Sequence, residues 1–240
     1  MRKPHTRKHI ILLMAFIVLV AGGGVFWLYR TYYSKDSRTR AVINFIRDPD
    51  SLADLRVSAL SSCGDAPFIM PTDGMIGYLW GDSFRPGHHH TGIDVFAGTD
   101  VGITPVYAAY DGYLTRLPDW KSTVIVRIPA DPLQPDRQIW MYYTHLADSE
   151  GNSFVDAAFP PGTEDLFVTA GTLLGYQGNF SGTPGNPTGV HLHFSIVLDD
   201  GEGHFLNELA IENTLDPSPY LGLALNAREN PDGIPVCQDF

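Results

Sequence analysis

Residues 188–198 read Thr188-Gly189-Val190-His191-Leu192-His193-Phe194-Ser195-Ile196-Val197-Leu198. On a strand, side chains alternate between faces, so residues two apart point the same way. His191 and His193 then project from one face, while Leu192 and Phe194 project from the other, toward an apolar core. Val190–Leu198 therefore reads as a strand with one apolar face and two imidazoles on the opposite face. Two such imidazoles can share a metal, or one can bind it while its neighbour stands beside it.

Further strands are expected before this one: Met75–Trp80, Val106–Ala109, Tyr113–Leu117, Thr123–Ile128, Ile139–Leu146 and Phe167–Ala170. Turn signals separate them at Asp73–Gly74, Asp111–Gly112, Ala170–Gly171 and Asp200–Gly201. With 24 Gly and 18 Pro among 240 residues, short strands and tight turns outnumber long helices, which predicts a mainly β, antiparallel domain built from hairpins. Ala147–Asp165, acidic and bearing Pro and Gly, reads as a loop, as does Ser181–Thr188. The tail after Asp216–Pro217 reads as irregular and wrapping back toward the start of the domain. The domain is placed at 63–240.

Two other histidine patterns lie along this domain. His90-Thr-Gly-Ile-Asp94 puts a histidine and a carboxylate four residues apart, on one face of either a helix or a strand. Gly92 between them leaves room above the site. Tyr142-Tyr143-Thr144-His145-Leu146 ends an expected strand with a histidine. His plus Asp plus His is a standard three-ligand zinc set that leaves a fourth tetrahedral position open, as catalytic sites do and structural ones do not. His-Glu-x-x-His is absent, so no local glutamate offers itself as a base. Taken singly, each pattern is weak; an isolated histidine at a strand end is more often an ordinary polar residue.

In combination the motifs resemble the M23 metallopeptidases, the lysostaphin/LytM group, over roughly Pro67 to Leu198. The family's His-x-Gly-Ile-Asp appears as His90–Asp94. Its Gly-Thr-Pro-Val-Tyr-Ala-Ala-x-x-Gly stretch appears as Gly102–Gly112, with one residue inserted. Its Tyr-x-His-Leu appears as Tyr143–Leu146, its Ala-Gly-x-x-Leu-Gly turn as Ala170–Gly175, and its Thr-Gly-x-His-Leu-His-Phe as Thr188–Phe194. The resemblance implies a lysostaphin/LytM-like fold and one zinc held by His90, Asp94 and His193. It also implies catalytic roles for His145 and His191 beside it, one as general base and the other orienting water or supporting the oxyanion. The implied activity is hydrolysis of peptide bonds in bacterial cell-wall peptidoglycan. A non-catalytic or partner-activated wall-binding module of the same fold is the alternative. The chain departs from the family pattern at Ser195, where many relatives carry Glu, and at Val190, where Pro is common. The stretch between His145 and Gly171 is longer and more acidic than usual. His88 and His89 have no family role; they read as exposed loop residues or spare ligands.

The N-terminal region has a different composition. Ile10 to Tyr29 carries no charge, and about 20 apolar residues as a helix match the hydrocarbon core of a bilayer. Trp27 and Tyr29 fall where an interfacial aromatic belt would lie. An uncleaved anchor at 10–29, after a short basic stretch at 1–9, is weighed against a signal peptide, whose apolar region would be shorter. Residues 30–62 read as a juxtamembrane stalk interrupted at Asp48–Pro49–Asp50. Basic residues flank both sides of the apolar run, so charge leaves orientation close to a tie. Wall chemistry instead places the peptidase domain on the extracytoplasmic side of the cytoplasmic membrane. The net charge is −11 with 27 acidic residues, none of them within the first 30 positions, so the domain is acidic and no nucleic-acid partner is expected. Cys63 and Cys237, the chain's two cysteines, would either form one long-range bridge in an oxidising compartment or be two unrelated buried thiols.

Overall fold

The computed structural model describes residues 13, 14, 16–18, 20–25, 37–83 and 87–237. The chain folds as two compact units, Met1–Ser37 and Arg38–Phe240. In the first unit the described residues between 13 and 25 are helical, and Leu13, Met14, Phe16, Ile17, Val18, Val20 and Val25 are exposed along that helix. Among the described residues no helix is long and apolar enough to cross a membrane. The remainder of the 10–29 run expected as an anchor lies outside the described residues.

The second unit is antiparallel β, as the turn pattern predicts. Its strands are β1 (Arg56–Val57), β2 (Gly74–Tyr78), β3 (Ile93–Phe96), β4 (Pro105–Tyr107), β5 (Gly112–Arg116) and β6 (Val124–Ile128). They continue with β7 (Ile139–Thr144), β8 (Thr163–Val168), β9 (Leu173–Tyr176), β10 (His191–Leu198) and β11 (Thr214–Leu215). The main sheet runs β1-β2-β3-β10-β7-β6-β5-β8, with β11 also paired to β10, while β4 and β9 form a separate two-stranded sheet. Two helices, α1 (Ser37–Arg47) and α2 (Ser218–Leu221), flank the strands in sequence.

β10 occupies the middle of the sheet, and its alternation organises the domain. Leu192, Phe194 and Ile196 join the main core with Ile93, Val95, Val126, Met141 and Tyr143, all fully buried. Each such side chain contributes roughly 1.5–3 kcal/mol relative to exposure. On the opposite face of β10, Val197 packs with Ile125 and Trp140 in a smaller cluster, and His191, His193 and Ser195 occupy the rest of that face.

Besides shifts of one or two residues at strand ends, the structure adds β1, β3 and β11, which the sequence reading does not include, and departs from it at two further strands. β8 begins at Thr163, inside the segment expected to be loop, because Gly112–Arg116 offers it a pairing edge. Its exposed side chains hide it from an apolar-periodicity reading. β9 falls within the Ala170–Gly175 turn motif and extends it, pairing with β4.

The sequence reading starts the domain at 63 and makes 30–62 a stalk, whereas the compact unit begins at Arg38. Val42 and Phe45 of α1 are buried against Met75 and Phe96, where Gly77 lets Val42 approach the backbone closely. Arg38 pairs with Asp82, and β1 adds Arg56 and Val57 to the edge of β2. Helix α1 stops at Arg47, just before Asp48–Pro49, because Pro disfavours helical geometry in the residue it follows. A 3-10 segment, Pro49–Leu55, leads into β1.

The tail does wrap back. Phe68 N–H donates to Tyr220 O at 2.9 Å, Trp80 bridges to Asn226, and Cys237 is disulfide-bonded to Cys63. Asp131, fully buried, is paired with Arg137 at 2.6 Å and accepts from the Tyr220 hydroxyl at 2.8 Å, which ties α2 to the β6–β7 connection.

Candidate metal centre

The site lies where β3, β10 and β7 run side by side. Asp94 on β3 is the register partner of His193 on β10, and His193 in turn faces Thr144 on β7. Directly paired residues share a sheet face, so the carboxylate and the imidazole meet without help from a loop. His193 Nδ1 is 2.9 Å from Asp94 Oδ1.

His90 comes from the segment before β3 and is fixed by backbone hydrogen bonds on both sides. Its N–H donates to Asp82 O at 2.7 Å, and its carbonyl accepts from Gly81 N–H at 2.8 Å. Its Nε2 is 3.0 Å from Asp94 Oδ1 and 3.0 Å from His193 Nδ1. Gly92 makes the approach possible: a Cβ there would run into the Phe194 carbonyl and the Ser195 side chain.

His145 reaches the site through an unusual backbone conformation. It follows Thr144, whose side chain is on the site face, so a continued strand would send His145 into the core beside Tyr143. Its φ of 72° lies in the left-handed region, where histidine is enriched among non-glycine residues, and turns the ring back to the site. The ring centroid then stands 4.4 Å from that of His191 and 6.3 Å from that of His193. His191 stacks on Phe96, its register partner, at 5.1 Å.

Each of these four imidazoles has its outward nitrogen held by an acceptor. His90 Nδ1 donates to Leu79 O at 3.0 Å, His145 Nδ1 to Phe180 O at 2.6 Å, and His191 Nδ1 to Gly189 O at 2.7 Å. His193 Nε2 donates to Glu208 Oε1 at 2.9 Å. A carbonyl or carboxylate oxygen can only accept, so each outward nitrogen carries a proton. The nitrogens turned inward are Nε2 of His90, His145 and His191 and Nδ1 of His193; in the neutral rings of His145 and His191 that nitrogen offers a lone pair, whereas His193 Nδ1 donates to Asp94 Oδ1.

Electrostatics follow from this crowding. Burial opposes charge on Asp94, yet the neighbouring His90, His191 and His193 hold its carboxyl well below the ordinary range. Burial likewise opposes a charged His193, but hydrogen bonds to Asp94 and Glu208 raise it to about 10. His145 goes the other way: burial, then the charges of His191 and His193, drives it down to about 3. Burial also lowers His191.

The structure thus brings His90, Asp94, His145, His191 and His193 into one cluster. His90, Asp94 and His193 each offer one ligand atom, all within 4.8 Å of one another. Two imidazole nitrogens and one ionised carboxylate, converging and already oriented from behind, suit zinc in chemistry and in number, the proton His193 Nδ1 shares with Asp94 being displaced on binding. His88 is half-buried and His89 exposed; both line the adjoining cleft of about 740 Å³, with Trp120, Lys121, Tyr142 and Phe180. Glu208 was not foreseen. It lies fifteen positions after His193 in an irregular segment, so no fixed motif spacing reveals it.

No family model and no curated protein matches the chain. Among solved structures, it is similar to the catalytic domain of the antimicrobial peptidase lysostaphin from Staphylococcus simulans. Identity there is 21%, covering 61% of this chain and 90% of that one, with a TM-score of 0.40. Against a longer lysostaphin structure it spans 55% of that chain, at 18% identity, 69% coverage of this chain and a TM-score of 0.38. It is similar to a variant catalytic domain of a prophage-encoded M23 protein from Enterococcus faecalis, at 22% identity over 62% of this chain and 95% of that one, with a TM-score of 0.36. It is also similar to a zinc-containing peptidase from Vibrio cholerae, at 18% identity over 62% of this chain and 38% of that one, with a TM-score of 0.32.

Proposed function

We propose that the chain is a zinc-dependent endopeptidase that hydrolyses peptide bonds in bacterial cell-wall peptidoglycan. The observation that carries this reading is the convergence of His90, Asp94 and His193 beside two further imidazoles, His145 and His191, at the edge of an open cleft. A purely structural metal site has no use for two uncommitted imidazoles aimed at it. The five-motif resemblance read from the sequence supplies the substrate class.

Zinc held by His90, Asp94 and His193 supplies Lewis acidity, activating a water and polarising a scissile carbonyl. The chain's own residues supply the proton traffic. His145 and His191 are held neutral, and each points an Nε2 lone pair inward. One accepts the proton of the attacking water as its oxygen bonds to the carbonyl carbon; that proton then passes to the leaving amine nitrogen as the C–N bond breaks. The other orients the water or steadies the charge developing on the carbonyl oxygen. Trp120, Tyr142 and Phe180 give the cleft apolar walls on which an extended peptide can lie.

Residues 10–29 serve in this reading as a single-pass membrane anchor, with the Arg38–Phe240 unit on the extracytoplasmic side. Exposed Leu, Ile, Val and Phe along the described helical residues support a lipid environment, and the disulfide suits an oxidising compartment. The test is to incubate the zinc-loaded full chain with purified peptidoglycan and, separately, with unfolded protein, and to identify released peptides by mass spectrometry. New peptide ends from the wall are expected; cleavage of protein alone would redirect the activity to secreted proteins. Retention of intact wall without cleavage would make the chain a binding module.

A further inference from the structure

Three of the four imidazoles at the site turn their outward nitrogen to a backbone carbonyl, and only His193 turns it to a carboxylate. Glu208 Oε1 accepts from His193 Nε2 at 2.9 Å and from the Thr91 hydroxyl at 2.9 Å. Its side chain is only 12% exposed. Burying a carboxylate to this degree is costly unless it is hydrogen-bonded, and its two partners are a proposed ligand and the neighbour of another.

The route by which Glu208 arrives is built from other elements. After β10 the chain doubles back: Asp199 bridges Phe205, and Leu206 N–H donates to Leu198 O at 3.0 Å. Phe205 packs on Trp120 at 5.7 Å and on Trp140 at 5.5 Å. Asn207 then anchors the following turn, its Oδ1 accepting from Leu209 N–H at 3.1 Å and its carbonyl from Asn213 Nδ2 at 2.9 Å. Position 195, two residues past His193 on the same strand face, carries a serine whose buried hydroxyl has no hydrogen-bond partner among the described residues. The strand itself therefore supplies His193 with no carboxylate, and the returning segment does.

We infer that Glu208 is a positioning residue for the metal site: it fixes the His193 ring with Nδ1 inward and, as an anion, strengthens that nitrogen as a ligand. The inference rests on the zinc reading above. A carboxylate behind a metal-binding histidine sets its tautomer and raises its basicity, and losing one typically costs about 10–100-fold in metal affinity. Thr91, adjacent to His90, donates to the same Oε1 and so holds the carboxylate against His193.

The test measures zinc affinity of the full chain by chelator competition for wild type, Glu208→Ala and Glu208→Gln, together with the absorption spectrum of the cobalt-substituted proteins. Glu208→Ala should bind zinc on the order of 10–100-fold more weakly and shift the cobalt spectrum. Glu208→Gln still accepts from Nε2–H but lacks the charge, so it should lose less affinity than Glu208→Ala while still binding more weakly than wild type. If Glu208→Ala does not fold, the near-isosteric Glu208→Gln decides alone. Affinities and spectra equal to wild type in a folded variant would overturn the inference while leaving the zinc reading intact. A wild-type chain that binds no zinc would overturn both.

Discussion

His193 on β10 and Asp94 on β3 are direct register partners, and their facing atoms, Nδ1 and Oδ1, are 2.9 Å apart. Two of the three proposed ligands are thereby fixed by the ladder of a central sheet rather than by loops, and rigid elements hold a site more closely than loops do. His193→Ala should remove the ligand at the centre of the cluster. Metal analysis of the purified full chain should find zinc in the wild type and a trace in the variant; full occupancy in His193→Ala would contradict the assignment.

Gly92 sits where the His90 segment meets the backbone of β10. Gly92→Ala places a Cβ against the Phe194 carbonyl and the Ser195 side chain, and overpacking of this kind costs roughly 1–3 kcal/mol. Denaturant unfolding should show that loss, and zinc affinity should fall with it because His90 is displaced. An unfolding midpoint equal to wild type would show that the two segments can separate freely.

Asp199 contributes to the pH dependence of the fold. Burial would raise its pKa, but hydrogen bonds from Trp140, Gln138, Gly201 and Gly203 win and lower it. A depressed carboxyl contributes stability that is fully present above the unfolded value of about 3.9 and is lost as pH falls through the folded value. The stability gap between wild type and Asp199→Ala should therefore be constant near neutrality and shrink below about pH 4. A gap that widened on acidification would reverse the sign and refute the account of Asp199.

The Cys63–Cys237 bridge closes a sequence separation of 174. In the chain-entropy account such a loop is worth on the order of 5 kcal/mol at most. The bridge ties the tail to the start of the region expected as the domain. Cys63→Ser/Cys237→Ser should lower unfolding free energy by up to that amount, read from denaturant titration. Identical stability in the paired variant would show that the tail's other contacts suffice.

Much of the site was legible in the sequence because it depends on strand alternation. His191 and His193 sharing a face, with Leu192 and Phe194 in the core, follow from a period of two; Gly92, expected to leave room above the site, instead lies tight against the backbone of β10. What alternation could not convey was His145, which reaches the site only through a left-handed backbone at the end of β7. Glu208 was hidden for a related reason: it arrives on a returning segment whose course is set by Phe205 packing between two tryptophans. In the region expected as a stalk, α1 and β1 are short and mixed in polarity, so apolar periodicity does not reveal them. Only the partners of Val42 and Phe45, far away on β2 and β3, make them part of the core.

The central claim is that His145 serves chemistry and not metal binding, beside a zinc held by His90, Asp94 and His193. One experiment reads both quantities: zinc content and peptide release from purified peptidoglycan, measured in parallel on the full-length wild type and His145→Ala. The predicted result is equal zinc content with release slowed about 10²–10⁴-fold in the variant, the range for a lost general acid–base group. Equal release rates, or loss of zinc together with activity, would contradict the claim.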